Sequence, residues 1–261
     1  MRAILSLAAA LILNAAALSA PTFTVLTPPN NFSADGGGIA AAISRDGSSL
    51  MVPGSWTGND GCLLYNKSGF HFLSNLVGQS ISGDGTRVVG HYETGNNYFF
   101  WDGSPISVLG TIYGGSLIGM AAQGNFAVGT SEVYSNALQQ YAILYYAGGD
   151  SCQYLNHPTG RIDSFDEAWA CSADGTHVAG FSYSDDALGG QIPVEWLYGS
   201  PYNLPFISGT SRGDALAIND QGNLIFGEEG GPLGSLDKWS GTRSWGERRV
   251  LLGRRRDQHV Q

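Results

Sequence analysis

The sequence predicts an all-β chain in which about five repeats, each of four short strands, follow one another. A glycine-containing hairpin motif recurs five times, and in the first four copies it is followed by an aromatic strand and then by a strand centred on leucine. The 38 glycines and the β-branched and aromatic runs disfavour helix. We therefore expect almost no helix in the mature chain.

The hairpin motif occupies residues 40–54, 78–90, 117–129, 168–180 and 215–227. Its first shared glycine recurs at steps of 38, 39, 51 and 47 residues, at Gly47, Gly85, Gly124, Gly175 and Gly222. Glycine adopts positive φ without a steric cost, and Asp tolerates it better than most residues. The Asp-Gly and Gln-Gly pairs therefore predict the turn between two strands.

A second glycine ends the second strand of the hairpin. It follows the first by five positions in the last four copies, at Gly90, Gly129, Gly180 and Gly227, and is displaced to Gly54 in the first copy. Glycine at the end of a strand predicts a tight bend or a close approach of another backbone segment.

Two further strands complete each of the first four repeats. The aromatic strands are predicted at residues 62–65, 98–101, 141–145 and 193–196, and the leucine strands at 70–73, 106–110, 152–155 and 202–205. The fifth repeat keeps Trp239, and residues 23–26 have the pattern of a fourth strand that would complete the last repeat. Four strands in 40 to 50 residues favour a β-propeller-like array, complete or incomplete, over a sandwich or an open solenoid, which do not explain the constant strand order.

The repeat resembles the bacterial extracellular HAF repeat over residues 23–240. The resemblance rests on the Asp-Gly hairpin and on the Trp or Tyr that closes the aromatic strand. The His-Ala-Phe of that family corresponds to residues 61–63, 97–99, 141–143 and 192–194, and none of these carries the histidine. The resemblance implies export and a repeat architecture, and it supplies no catalytic residues.

Both ends of the chain differ from the repeats. Residues 1–20 contain Arg2, an apolar run and small residues before Pro21, which predicts a signal peptide cleaved between Ala17 and Ala20 rather than an uncleaved anchor. We expect no transmembrane span after its removal. Residues 241–261 form a basic tail, predicted to be an interaction arm, a disordered segment or a truncation product. Residues 250–253 could supply a last leucine strand.

Charge and cysteine content exclude several classes. Residues 21–240 contain 20 Asp and Glu against 6 Lys and Arg, so binding to nucleic acid is disfavoured. Three cysteines, Cys62, Cys152 and Cys171, are too few for a disulfide framework, although Cys152 and Cys171 could pair. The absence of CxxC and HxxxH spacings disfavours zinc.

Three aspartates recur in the turns beside serines, namely Asp46, Asp84 and Asp174. Turn formation accounts for them, and calcium ligation is the alternative. The acidic pairs at 166–167, 185–186 and 228–229 are predicted to lie in solvated loops, because the inner-strand motifs contain no acid apart from the turn aspartates. His71, His91, His157 and His177 lack ligand spacing and are expected at exposed or edge positions.

The sequence therefore predicts no catalytic residue and no cofactor. The leading hypothesis is a monomeric, exported, non-catalytic scaffold that binds a protein or a glycan at the cell surface or outside the cell. One alternative is a carbohydrate-active propeller enzyme. The other is a fragment of a longer surface protein, such as an autotransporter passenger.

Overall fold

The computed structural model describes residues 27–34, 42–92, 97–103, 107–109, 115–134, 138–147, 151–158, 164–184, 190–205, 212–230 and 253–254. Two compact units are distinguished, Met1–Asn30 and Asn31–Gln261. The first is described only at residues 27–30, which contain no strand. In the second, every regular element among the described residues is a β-strand, which confirms the all-β prediction.

The strands form five successive groups, which we call blades 1 to 5. Blade 1 contains β1 (Phe32–Ala34), β2 (Ala42–Ile43), β3 (Leu50–Trp56), β4 (Asn59–Asn66) and β5 (Gly69–Ser74). Blade 2 contains β6 (Leu76–Ile81), β7 (Val88–Tyr92), β8 (Tyr98–Trp101) and β9 (Ser107–Leu109). Blade 3 contains β10 (Gly115–Met120), β11 (Phe126–Tyr134), β12 (Leu138–Tyr146) and β13 (Ser151–Tyr154). Blade 4 contains β14 (Ser164–Cys171), β15 (His177–Ser184), β16 (Gln191–Leu197) and β17 (Ser200–Asn203). Blade 5 contains β18 (Arg212–Ile218), β19 (Leu224–Gly230) and β20 (Gly253–Arg254).

Within blades 2, 3 and 4, the four strands pair antiparallel in chain order, as the repeat predicts. In blade 1, the first-strand position is shared by β1 and β2, which pair with opposite ends of β3. In blade 5, β20 from the basic tail pairs with β19 at Leu224 and Ile225. Blades 3 and 4 are joined by one parallel pair, between Gln140 and Phe165. The predicted strand at 23–26 and Trp239 lie outside the described residues.

Three apolar clusters fill the spaces between successive blades. Side chains alternate along each strand, so blades 2 and 3 each present one apolar face to the blade before and one to the blade after. Between blades 3 and 4, Val128, Leu144 and Leu155 pack against Val178 and Trp196. The other two clusters join blade 1 to blade 2 and blade 2 to blade 3. A single blade therefore leaves apolar faces that only its neighbours cover.

A β-bulge interrupts the first strand of blades 2 to 5, a feature that the sequence did not predict. The register shifts between Gly78 and Ser80 in β6, and at the corresponding positions of β10, β14 and β18. The second repeat glycine lies beside this bulge, where a Cβ atom on Gly180 would be 1.9 Å from the Glu167 carbonyl oxygen. Gly90, Gly129 and Gly227 make the same close approach.

Candidate functional site

The turns that follow the first strands lie at one end of the blades, which we call the turn end. In each turn the first repeat glycine has a φ between 69° and 72°. Its N–H donates to the carbonyl oxygen three residues earlier, over 2.8–3.1 Å. The preceding Asp46, Asp84 and Asp174 do not have positive φ. Glycine alone therefore supplies the left-handed conformation, and the aspartates have a different task.

That task is to accept hydrogen bonds that close the turn. Asp84 Oδ1 accepts from Ser82 Oγ over 2.6 Å and from both the N–H and the hydroxyl of Thr86 over 3.0 and 2.8 Å. Asp46 and Asp174 accept from equivalent groups. Hydrogen bonds from Ser48 lower the pKa of Asp46 to about 2, and the hydroxyl of Ser172 is the main cause of an equal lowering at Asp174.

Calcium ligation by these aspartates stays a prediction. Asp46, Asp84 and Asp174 belong to three different turns, and each uses Oδ1 within its own turn. Among the described residues, no group of three or more His, Cys, Asp or Glu is arranged to hold a metal ion.

Successive turns contact one another along the turn end. The Gly83 N–H donates to the Ala122 carbonyl oxygen over 2.7 Å, which links blade 2 to blade 3. A Cβ atom on Gly175 would lie 2.6 Å from the Phe126 ring of the preceding blade. The guanidinium of Arg45 in the first turn forms an ion pair with Asp220 in the fifth, 175 residues away.

The opposite end carries buried and half-buried polar groups, and we call it the polar end. It comprises His91, Ser116, Thr130, Ser131, His157, Asp166, Glu167, Ser182 and Asp214. At its centre, His157 Nδ1 lies 2.5 Å from Asp166 Oδ2. The Asp166 side chain is fully buried, and the Tyr141 ring lies 4.2 Å from the His157 ring. His157 follows β13 and Asp166 lies in β14, so this pair joins blade 3 to blade 4.

The prediction that residues 166–167 lie in a solvated loop is wrong. Strand β14 begins at Ser164, before the motif, and therefore includes both acids. Asp166 tolerates burial because His157 supplies a hydrogen-bond donor. Asp214 likewise lies in the first strand of blade 5, one residue before the motif, so the motifs did not include the whole first strands. Residues 228–229 lie in β19, whereas residues 185–186 are outside the described part of the chain.

Glu167 and Asp214 occupy equivalent positions on neighbouring first strands. Each precedes an alanine that pairs with the second repeat glycine of its blade, Ala168 with Gly180 and Ala215 with Gly227. Burial raises the pKa of Glu167, and the negative charge of Asp214 raises it further. This pair favours a carboxyl group that keeps its proton at higher pH than an ordinary glutamic acid.

Two of the four histidines contradict the expectation of exposed or edge positions. His157 pairs with Asp166, and His177 Nδ1 lies 2.6 Å from Glu195 Oε1, with the two side chains only 12% and 11% exposed. His91, which is half-buried, contacts Ser116 Oγ across blades 2 and 3 at 3.1 Å. No ligand-type spacing could have revealed these pairs, because their partners come from different strands.

The β16–β17 hairpin of blade 4 presents two exposed tyrosines. Tyr198 is 76% exposed and Tyr202 is 54% exposed. Tyr198 and Gly199 form the tight turn between these strands, and Tyr198 has a φ of 51°. Positive φ is rare for an aromatic residue, since its Cβ atom crowds the backbone there.

No family model matches this chain. No curated protein matches it either. Among solved structures, it is similar to putative TolB from Agrobacterium tumefaciens, with a TM-score of 0.53 and 13% identity over 83% of this chain and 76% of that one. The β-propeller domain of the Trilobed protease from Pyrococcus furiosus gives 0.52 and 10% over 82% and 67%. An acylaminoacyl peptidase from Pyrococcus horikoshii gives 0.54 and 8% over 79% and 36%.

These similarities, at low identity, concern the fold alone. Together with the blades, they define a propeller-like all-β protein, as the repeat predicts. The chain spans 50% of the length of TolB from Acinetobacter baumannii, another structure it matches. The part of the chain that the structure describes contains no helix with the length and hydropathy needed to cross a membrane.

Proposed function

We propose that this propeller-like protein is an exported scaffold that binds a protein or a glycan at the cell surface or outside the cell. The observation that carries the proposal is Tyr198, an exposed aromatic side chain on a strained backbone. A left-handed conformation costs a non-glycine residue about 1–2 kcal/mol. Strain of this kind clusters at functional positions. Tyr198 and Tyr202 together offer aromatic faces that stack on sugars or anchor a protein.

The test uses a change that should preserve the fold while removing the aromatic face. We expect Tyr198→Asn to leave thermal stability unchanged or raised, because Asn tolerates the left-handed region, and to weaken glycan binding on an array at least fivefold. Thr57→Asn is the matched control, because Thr57 begins a two-residue turn of similar conformation between β3 and β4, with a φ of 53°. If Tyr198→Asn retains full binding on an array that the parent protein recognises, the blade 4 hairpin is not the binding surface.

A carbohydrate-active enzyme is the second candidate, and Glu167 with Asp214 favours it. Glycosidases use two carboxyl groups, one of which is kept protonated by its surroundings. The raised pKa of Glu167 beside Asp214 has this character. A glycosidase screen of the purified chain separates the candidates. Turnover that Glu167→Gln or Asp214→Asn abolishes, and that Glu132→Gln on strand β11 preserves, would replace the scaffold proposal with the enzyme.

Export is proposed from residues 1–20, which have the layout of a signal peptide and lie outside the described residues. Expression of the whole chain in a bacterium, followed by fractionation and N-terminal sequencing, tests it. We expect a periplasmic or secreted product that begins between residues 18 and 21. A cytoplasmic product that retains Met1 would contradict export.

Membership of the HAF-repeat family is likewise proposed, on the recurring hairpin and the aromatic strand that follows it. The support is that each motif supplies the first two strands of one blade. Further HAF-repeat proteins should then carry a glycine at the positions of Gly85 and Gly90 in every blade, and an alternative strand order in one of them would contradict the assignment.

A further inference from the structure

Among the buried side-chain oxygen atoms of the polar end that form no hydrogen bond with the described residues, three lie between blades 3 and 4. They are Asp166 Oδ1, Ser182 Oγ and Thr130 Oγ1. Asp166 and Ser182 are fully buried, and Thr130 is 9% exposed. An unsatisfied buried polar group is costly, and most such groups in folded proteins have a protein or solvent partner.

The three side chains line the same interface, between blades 3 and 4. Asp166 and Ser182 are directly opposite in the β14–β15 register, so they share one face of blade 4. Side chains two residues apart share a face, which places Asp166 with Ala168 and Thr130 with Val128. Ala168 and Val128 belong to the one apolar cluster that fills this interface. The three oxygen atoms therefore face the same interior space.

The chemistry of these atoms defines what they would bind. An ionised carboxylate oxygen only accepts hydrogen bonds, whereas a serine or threonine hydroxyl both donates and accepts. The complementary group must donate to Asp166 and exchange hydrogen bonds with two hydroxyls. An ammonium would leave the two hydroxyl hydrogens of Ser182 and Thr130 without an acceptor, and a carbonyl cannot donate to Asp166. A hydroxyl group does both and therefore fits best. A buried water molecule typically makes about three hydrogen bonds, which is the number offered here.

We propose that Asp166, Ser182 and Thr130 form an internal site that binds a hydroxyl group, supplied by a water molecule or by a sugar. His157 positions the site, because its hydrogen bond with Asp166 Oδ2 holds the carboxylate in place. The bound hydroxyl connects strand β11 of blade 3 to strands β14 and β15 of blade 4. It therefore couples three side-chain oxygen atoms that no hydrogen bond joins directly.

A double-mutant cycle on the full chain tests the coupling. Ser182→Ala and Thr130→Val are combined, and we expect their effects on the unfolding equilibrium to depart from multiplicativity by about threefold or more. The control cycle pairs Ser182→Ala with Ser131→Ala. Ser131 holds the equivalent position in blade 3 but faces the other interface, so these effects should multiply within about twofold. If Ser182→Ala does not fold, Ser182→Cys takes its place.

A crystal structure and sugar titrations identify the source of the hydroxyl. An oxygen atom within 3.5 Å of all three side-chain atoms, with no thermal shift from any sugar of a monosaccharide panel, assigns water. A shift that Ser131→Ala keeps and Ser182→Ala loses assigns a sugar hydroxyl. The proposal would be overturned if the effects of Ser182→Ala and Thr130→Val on the unfolding equilibrium simply multiply, or if the crystal structure shows a metal ion at this position. Neither result depends on export or on the blade 4 tyrosines.

Discussion

Replacing turn glycines with alanine separates the two reasons for which glycine is needed at the turn end. Gly47 and Gly175 have φ values of 69° and 70°, so alanine meets the same backbone strain at both, about 1–2 kcal/mol. A Cβ atom at Gly47 meets no described atom within 4 Å, whereas one at Gly175 lies 2.6 Å from the Phe126 ring. That ring packs edge to face on Tyr146 at 5.4 Å, so making room for the Cβ atom would disturb this contact.

We therefore expect Gly47→Ala to lower the free energy of unfolding by about 1–2 kcal/mol. Gly175→Ala should lower it by a further amount of about 1–3 kcal/mol, because overpacking adds to the strain. Urea unfolding, followed by tryptophan fluorescence, measures both changes from the shift in midpoint at constant slope. If Gly175→Ala costs no more than Gly47→Ala, the turn of blade 4 does not pack on blade 3, and the inter-blade account of the turn end fails.

Three further predictions concern the hydrogen bonds and the ion pair of the turn end and the cysteines of the apolar clusters. Hydrogen bonds hold the pKa of Asp174 near 2, below its ordinary 3.8, so its contribution to stability is complete above about pH 5 and is lost as the pH falls toward 2. In the Asp174→Asn variant the urea midpoint should change less over this pH range than in the parent protein. An equal pH dependence in the two proteins would contradict the turn network. Burial raises the pKa of Cys62 and Cys171 to about 12, so iodoacetamide at pH 8 should label them only after unfolding. Rapid labelling of the native protein, detected by mass spectrometry, would contradict their burial. Arg45→Ala should increase hydrogen exchange in blades 1 and 5, because it removes the ion pair with Asp220. The double variant Arg45→Asp with Asp220→Arg should restore the protection. Hydrogen exchange that stays fast in the double variant would contradict a stabilising role of the ion pair.

The blade order could be predicted because the signals that set it are local. A positive φ is required at Gly85 and its equivalents whatever surrounds them, and the alternation of apolar residues identifies the strands that follow. At Gly180 and the other second glycines, a backbone carbonyl oxygen of the first strand lies close to the Cα atom. This agrees with the prediction that glycine at a strand end marks a close backbone approach. The bulge opposite those glycines has no residue signature of its own, because its extra position is Gln79 in one blade and Trp169 in another.

The polar end could not be predicted, because it depends on contacts between blades. The sequence before Asp166 has the composition of an ordinary loop. The burial of Asp166 is explained by its contact with His157, which belongs to the preceding blade. One signal was available. The motif at 168–180 starts inside a longer first strand, and extending that strand toward its beginning would have placed residues 166–167 inside the sheet.

The leucine strand of blade 4 illustrates how tight turns shift a predicted boundary. Residues 202–205 were expected to form it, whereas β17 is Ser200–Asn203. The Tyr198–Gly199 turn allows only two residues between paired positions, so Leu197 lies opposite Ser200 and the strand begins at once. A tyrosine at a left-handed position gives no sequence signal for such a turn.

The contacts of the turn glycines run in one direction along the polypeptide. Gly85, Gly124, Gly175 and Gly222 each approach side chains of the preceding blade, whereas Gly47 opens the series with no described atom in reach. A nascent chain emerging from the ribosome would therefore always find its docking surface already synthesised. Assembly would then proceed as templated growth from the amino terminus, with each newly completed hairpin captured by the one made just before it.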